Sequence, residues 1–272
     1  MQRPSPLSTI LLEQILKNKT KPVILIADDE PVNQKIFSLI LEKLGYHPII
    51  ASNGEEALEK AKSAGPVFAF FDILMPKMNG FEAAKKLRSS GFSYPIIAVT
   101  ATLLPEDEET LKESGINDVL IKPINLSAIQ KMLEKWLSAE KKLSQGLTES
   151  DMVSVSALAV FNPKDMYDTL TNDEEIVMPL LARFIERTGC QLENFQALIT
   201  SGNWTDARRD AHTIKGTASS MGGHELGKTA GVLEQACINA SAEEARTAYS
   251  RVLEIFAKFK KEAEEFIQNK KS

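Results

Sequence analysis

The stretch Val23-Ile24-Leu25-Ile26-Ala27-Asp28-Asp29-Glu30-Pro31 sets five apolar residues against three consecutive acids and a proline. A short apolar run without polar alternation fits a strand covered on both faces, as in a parallel sheet. The acids and Pro31 fit a helix start, where proline has no needed amide to lose and carboxylates face the positive end of the helix dipole. A strand running straight into a helix is half of a βαβ unit. The alternation returns along the chain: apolar runs at Pro48–Ala51, Val67–Phe71, Pro95–Val99 and Val119–Ile121 are separated by amphipathic stretches near 32–44, 53–63, 80–89, 105–114 and 125–138. Five strands alternating with five helices predict an α/β domain over residues 21–138, built on a five-stranded parallel sheet.

Beyond residue 138 that pattern stops. Residues 139–155 are polar and read as a linker, and residues 1–20, with an amphipathic Leu7–Leu16, read as an N-terminal extension. Residues 156–272 show helical periodicity only. Thr171 with Glu174 fits a capping box ahead of Ile176, Leu180, Phe184 and Ile185. Asn203 caps a stripe of Trp204, Ala207, Ala211, Ile214, Ala218 and Met221, which Gly222-Gly223 ends. Leu226, Ala230, Leu233 and Cys237 line a third helix, and Ala245, Tyr249, Val252, Phe256 and Phe259 a fourth. Four long helices with short connections predict an all-α four-helix bundle.

Hydrophobic residues at 43% and charged residues at 25% place the chain among ordinary globular proteins. A formal net charge of -5 argues against a nucleic-acid partner, whose footprint is a basic excess. No apolar run reaches the roughly 18 residues that span a bilayer, so no membrane insertion is expected. Met1–Thr20 lacks the basic start and apolar core of a secretory leader, and a cytoplasmic location is the expectation. Cys190 and Cys237 lie far apart inside helical patterns and read as buried apolar residues. With His47, His212 and His224 they form no zinc-ligand spacing. His47 reads as a loop residue and His224 as a surface or capping residue.

The first chemistry lies at predicted strand ends. Asp28 and Asp29 follow the first strand, Asp72 the third, Thr100 the fourth and Lys122 the fifth. Open α/β sheets bind ligands beyond the carboxyl ends of their strands, at the point where strand order reverses, so these residues converge on one cleft. Clustered carboxylates repel, and Mg2+ suits a site with few carboxylates and a phosphate oxygen. A carboxylate beside such an ion can act as nucleophile toward phosphorus. Phosphoryl transfer needs positioning and charge neutralisation, for which Lys122 supplies a cation and Thr100 a hydroxyl.

The second chemistry is a single imidazole. Within Ala211-His212-Thr213-Ile214-Lys215-Gly216, His212 stands one residue off the apolar stripe, on its exposed shoulder. Lys215 and Gly216 share its face at i+3 and i+4. Neutral imidazole is a phosphorus nucleophile at physiological pH, and a neighbouring lysine stabilises added negative charge. Glycine costs roughly 1 kcal/mol of helix propensity relative to alanine, and clearance for a docking partner is the matching return.

The runs ILIADDE (24–30), FFDILMPKMNG (70–80), PIIAVTA (95–101) and GINDVLIKP (115–123) resemble a response-regulator receiver domain. The resemblance implies a flavodoxin-like fold, Asp72 as phospho-acceptor, and Mg2+ held by Asp28, Asp29, Asp72 and the backbone carbonyl of Leu74, with Thr100 and Lys122 on the phosphoryl group. Asn33 in PVNQK resembles the receivers of hybrid kinases. Val119 stands where the family carries a switch aromatic, which calls the aromatic switch coupled to Thr100 into question. Leu74, two residues after Asp72, offers no polar group to an attacking water, so slow hydrolysis of the aspartyl phosphate is expected.

AHTIKGTASSMGG (211–223) and ELGKTAGVLEQA (225–236) resemble a histidine-containing phosphotransfer (HPt) domain, which implies His212 as phospho-acceptor, Lys215 assisting and Gly216 permitting docking. Together the resemblances imply a two-component phosphorelay protein that takes phosphoryl from a sensor histidine kinase, itself hybrid or not, and exchanges it with other receivers. No kinase ATP-binding motif is read, so the chain is expected to carry phosphoryl rather than turn over a substrate. A receiver that only regulates access to His212 is the alternative wiring, and a Mg2+-dependent aspartyl-phosphate phosphatase is the rival from another class.

Overall fold

A computed structural model describes residues 21–103, 107–137, 160–170 and 173–271. The extension expected over 1–20, the linker over 139–155 and the capping Thr171 lie outside the described residues.

The first domain runs β1 (Val23–Ala27), α1 (Pro31–Lys43), β2 (His47–Ala51), α2 (Gly54–Ala64), β3 (Phe68–Asp72), α3 (Gly80–Ser89), β4 (Ile96–Thr100), α4 (Asp107–Ser114), β5 (Asp118–Ile121) and α5 (Leu126–Leu137). The sheet is parallel throughout, in the order β2-β1-β3-β4-β5. Strand order reverses between β1 and β3, whose register pairs Ala27 with Phe71. That pairing brings Asp28 and Asp72 side by side at one sheet end. β3 and β4 are buried at every residue, as their continuous apolar runs require. The Phe70 ring of β3 packs onto α1, with Phe37 5.1 Å away between ring centres. His47, expected in a loop, opens β2 as an exposed residue.

The second domain starts with a short α6 (Pro163–Thr169) and continues as α7 (Glu174–Ser201), α8 (Trp204–Ser220), α9 (His224–Ile238) and α10 (Ala242–Lys271), the expected four long helices. Asp173 caps α7 by accepting from the Glu175 amide at 3.1 Å, two residues later than the cap expected at Thr171. Asn203 caps α8 as expected, accepting from Asp206. Gly222 follows α8 in the left-handed region at φ 75, and a Cβ there would lie 2.2 Å from the Asn162 carbonyl oxygen, so only glycine closes this corner. Cys237 is buried as expected, whereas Cys190 is exposed. The buried stripe of α7 runs through Thr188 and Leu192, and position 190 falls on the opposite face. No described helix is long and apolar enough to cross a membrane.

Candidate functional site

Asp72 ends β3 and is buried, and its Oδ1 accepts from the Leu74 amide at 3.2 Å. A Cβ at Gly80 would meet the Asp72 carbonyl oxygen at 2.2 Å, so glycine is what lets the first turn of α3 close over the acid. Lys122 reaches across the sheet end from β5. Its Nζ donates to Asp72 Oδ2 at 2.6 Å and to Asp28 Oδ2 at 3.3 Å, and all three side chains are at most 4% exposed. The Lys122–Pro123 bond is cis. Asp28 is further held by the Glu30 amide at 2.8 Å and by Asn33 Nδ2 at 3.2 Å. Thr100, buried at the end of β4, donates from Oγ1 to the Thr102 carbonyl at 2.7 Å, which orients the β4–α4 loop.

Asp28, Asp29 and Asp72 each direct a carboxylate oxygen to one point, within 4.8 Å of one another. Burial pushes the Asp28 carboxyl from 3.8 up to about 8, with Lys122 pulling it down and Asp72 and Asp29 adding repulsion. Asp29 rises to about 6, first through burial and then through Asp72. Burial would lower Lys122, but the attraction of Asp28 and Asp72 outweighs it and holds the ammonium above its ordinary value. Three acids facing one lysine leave a deficit of positive charge, which is what a divalent cation would make up.

These shifts have a sign. A carboxyl raised in the folded state binds more protons than in the unfolded chain between the two values, so stability falls as pH rises through that interval. In chelator, the melting temperature is expected to decline between about pH 4 and pH 8, from the values 3.8 and about 8 for Asp28. Asp28→Asn should flatten that decline, and thermal melts across the range would detect it. An unchanged slope in the variant would contradict the assignment.

His212 sits on α8 and is 3% exposed. This corrects the expected exposed shoulder: the first domain covers that shoulder. The Ala101 amide of the β4–α4 loop donates to His212 Nε2 at 3.4 Å. On the other side of the ring Nδ1 lies 2.6 Å from Oε1 of Glu234 on α9, which is 5% exposed. An amide donor at Nε2 and a carboxylate at Nδ1 together assign the proton to Nδ1 and the lone pair to Nε2. The lone pair therefore faces the loop that follows Thr100. A small cavity of about 40 Å³ lies there, lined on one side by Leu74, Thr100 and Thr102 and on the other by His212, Lys215 and Arg208.

Lys215 Nζ donates to Thr102 Oγ1 and, at 3.0 Å, to Glu234 Oε2. Burial would raise the Glu234 carboxyl, but the hydrogen bonds from His212 and Lys215, with the Lys215 ammonium beside it, hold it below its ordinary range. A Cβ on Gly216 would lie 2.8 Å from Lys122 Cδ, so the close approach of the two domains depends on that glycine. Gly216→Ala is expected to strengthen α8 by up to about 1 kcal/mol while weakening contact with the first domain. Thermal melts rising while His212 becomes more reactive would bear this out; a variant that keeps His212 equally protected would not.

The two expected sites thus meet in one place: Asp28, Asp29, Asp72, Thr100 and Lys122 on one side, His212, Lys215 and Gly216 on the other. Leu74 lies between them as an apolar wall. His224 stands apart, exposed, with Nε2 3.0 Å from Asp165 Oδ2. Sequence reading missed Glu234. Its signal was present, since it stands four residues after Ala230 and one after Leu233, an acid on the inward face of its helix.

Residues 24–134 match the response regulator receiver domain, and residues 179–269 match the Hpt domain. The sensor histidine kinase RcsC of Salmonella typhi is 31% identical over 120 residues, 44% of this chain and 13% of that protein. The sensor protein EvgS of Escherichia coli (strain K12) is 30% identical over 210 residues, 77% of this chain and 16% of that protein. This chain therefore spans a minor part of the length of those relatives. Among solved structures, the chemotaxis protein CheY4 of Vibrio cholerae aligns with a TM-score of 0.42 at 32% identity, covering 43% of this chain and 100% of that one.

Proposed function

The chain belongs to the two-component phosphorelay proteins, a receiver domain followed by an Hpt domain, and on that premise we propose that it moves a phosphoryl group between Asp72 and His212. The observation that carries this reading is the direction of His212 Nε2, which faces the β4–α4 loop of the receiver at 3.4 Å from the Ala101 amide.

In the receiving step a carboxylate oxygen of Asp72 attacks a phosphohistidine of a partner. The oxygen–phosphorus bond forms as the partner's nitrogen–phosphorus bond breaks. Lys122 and Thr100 stand where charge on the phosphoryl oxygens needs partners. In the passing step Nε2 of His212 attacks phosphorus, and the Asp72 oxygen leaves as carboxylate. The Nδ1 proton stays in place, and Glu234 balances the positive charge that grows on the ring. Lys215 stands beside the new phosphoramidate. Asp28, Asp29 and Asp72, with the Leu74 carbonyl, would hold Mg2+, which when bound supplies charge neutralisation for the phosphoryl oxygens. The steps run in either direction. A sensor histidine kinase and separate receivers are the partners this chemistry implies.

The test is incubation with acetyl phosphate and Mg2+, followed by mapping of phosphate on the native chain, Asp72→Asn and His212→Gln. Phosphate on His212 that disappears in Asp72→Asn supports the relay. Phosphate confined to Asp72 in the native chain overturns exchange between the two sites and leaves the receiver as a regulator of the bundle, a second reading favoured by the burial of His212. Slow loss of the aspartyl phosphate is expected as well, because the Leu74 side chain lines the cavity and orients no water. Leu74→Asn should shorten its lifetime; equal lifetimes would remove the argument.

A further inference from the structure

Of the three consecutive acids after β1, Asp28 and Asp29 turn to the carboxylate cluster, and the chemistry above leaves Glu30 unused. Yet Glu30 is 3% exposed. Its Oε1 accepts from the Val32 amide at 3.3 Å and caps α1. Its Oε2 lies 2.5 Å from Nε of Arg187, which belongs to α7 of the other domain. The carboxylate enters a tightly packed cleft between α7 and α8, walled by Phe184, Thr188, Thr213 and Thr217. A carboxylate buried there without a cation would be strongly destabilising. The arginine of the bundle is what makes the burial tolerable.

Neighbouring bonds work in the same sense. Thr217 Oγ1 donates to Asn33 Oδ1 at 3.4 Å, and Lys215 donates to Thr102 Oγ1. Each is weaker in kind, since a neutral pair, or a lysine that keeps Glu234 as its partner within the bundle, loses less on separation than the buried Glu30 carboxylate does. The consequence falls on His212. While this receiver is seated, the imidazole is 3% exposed and its nucleophilic nitrogen faces one loop of one receiver. A receiver from another chain reaches His212 only after this one leaves.

We propose that the Glu30–Arg187 ion pair is the latch that seats this chain's own receiver on its bundle and closes His212 to receivers in trans. The partner chemistry it selects is a receiver with a carboxylate directly after its paired acids. This deepens the relay reading by assigning its partner choice, but the docking itself can be read without any phosphoryl transfer.

Carbethoxylation by diethyl pyrocarbonate, followed residue by residue by mass spectrometry on the full chain, provides that readout. His47 and His224 are exposed and serve as internal controls. In the native chain His212 is expected to react far more slowly than either. Arg187→Glu should raise its rate about tenfold, equivalent to ~1.4 kcal/mol of docking free energy, a modest figure because Arg187 is itself 38% exposed and screened by water. Glu30→Arg should do the same, and the double charge swap should restore protection. Melts by circular dichroism separate loss of the α1 cap from loss of docking, since Arg187→Glu leaves that cap untouched. If Arg187→Glu leaves His212 as protected as in the native chain, or the swap fails to restore protection, the latch is wrong. If the reactivity pattern holds while acetyl phosphate labels neither site, the latch stands and the relay falls.

Discussion

Lys122→Ala is expected to remove about 3 kcal/mol of folding stability at pH 8 and to slow phosphoryl exchange at Asp72 about a hundredfold. The side chain is 2% exposed and donates to two carboxylates that are themselves 1% and 4% exposed. Removing it leaves both anions buried without their cation, the case in which breaking a buried pair costs most. The loss depends on pH. Without the ammonium, the Asp28 carboxyl takes up a proton more readily in the folded state, so the deficit should shrink as pH is lowered toward 6 and this acid is neutralised. Denaturant melts at pH 6 and pH 8 measure the first effect, and single-turnover labelling from acetyl phosphate measures the second. Native stability at pH 8 in the variant would mean that Lys122 contributes no compensation, and the electrostatic account of the cluster would fail.

Glu234→Ala should slow phosphoryl transfer to His212 by about a hundredfold, with the receiving step at Asp72 unchanged. The carboxylate holds Nδ1 at 2.6 Å and thereby keeps the lone pair on Nε2, toward the receiver. Alanine frees the ring to rotate and to exchange tautomers, and leaves the positive charge that grows on it without a counter-charge. Glu234→Gln keeps an acceptor oxygen and loses only the charge, so its deficit should be smaller, about tenfold. A merely structural role would move neither the tautomer nor the partition between these variants. Nitrogen NMR of the imidazole should show Nδ1 protonated in the native chain and a tautomer mixture in Glu234→Ala. An unaltered tautomer with an unaltered rate would remove Glu234 from the mechanism.

Much of the fold could be read without coordinates because its determinants are local. Val23–Ala27 and Phe68–Asp72 are strands whose apolar runs mark them as covered on both faces. Errors of a residue or two arose at element ends, as with Asp72, which closes β3 rather than following it. The cap of α7 moved to Asp173 because Asp, like Thr, offers a side-chain oxygen to the first free amides. Cys190 was misplaced for a different reason: its apolar character suggested burial, while its angular position on α7 excluded it.

The sequence alone determined that acids stand at the ends of β1 and β3, that Lys122 follows β5, and that one histidine with a lysine and a glycine occupies a helix face. Each follows from the spacing of residues a few positions apart, where helix and strand periods operate. Only the tertiary structure decided that the two sites face each other. The contacts that do so join residues 111 positions apart, as with Ala101 and His212, or 184 apart, as with Asn33 and Thr217. No period reports such distances. They exist because the N-terminus of α1 and the β4–α4 loop share one end of a twisted sheet, and because α7, α8 and α9 pack so that Arg187, His212 and Glu234 meet that end. Burial of His212, the work of Glu234 and the pairing of Glu30 with Arg187 are properties of that packing.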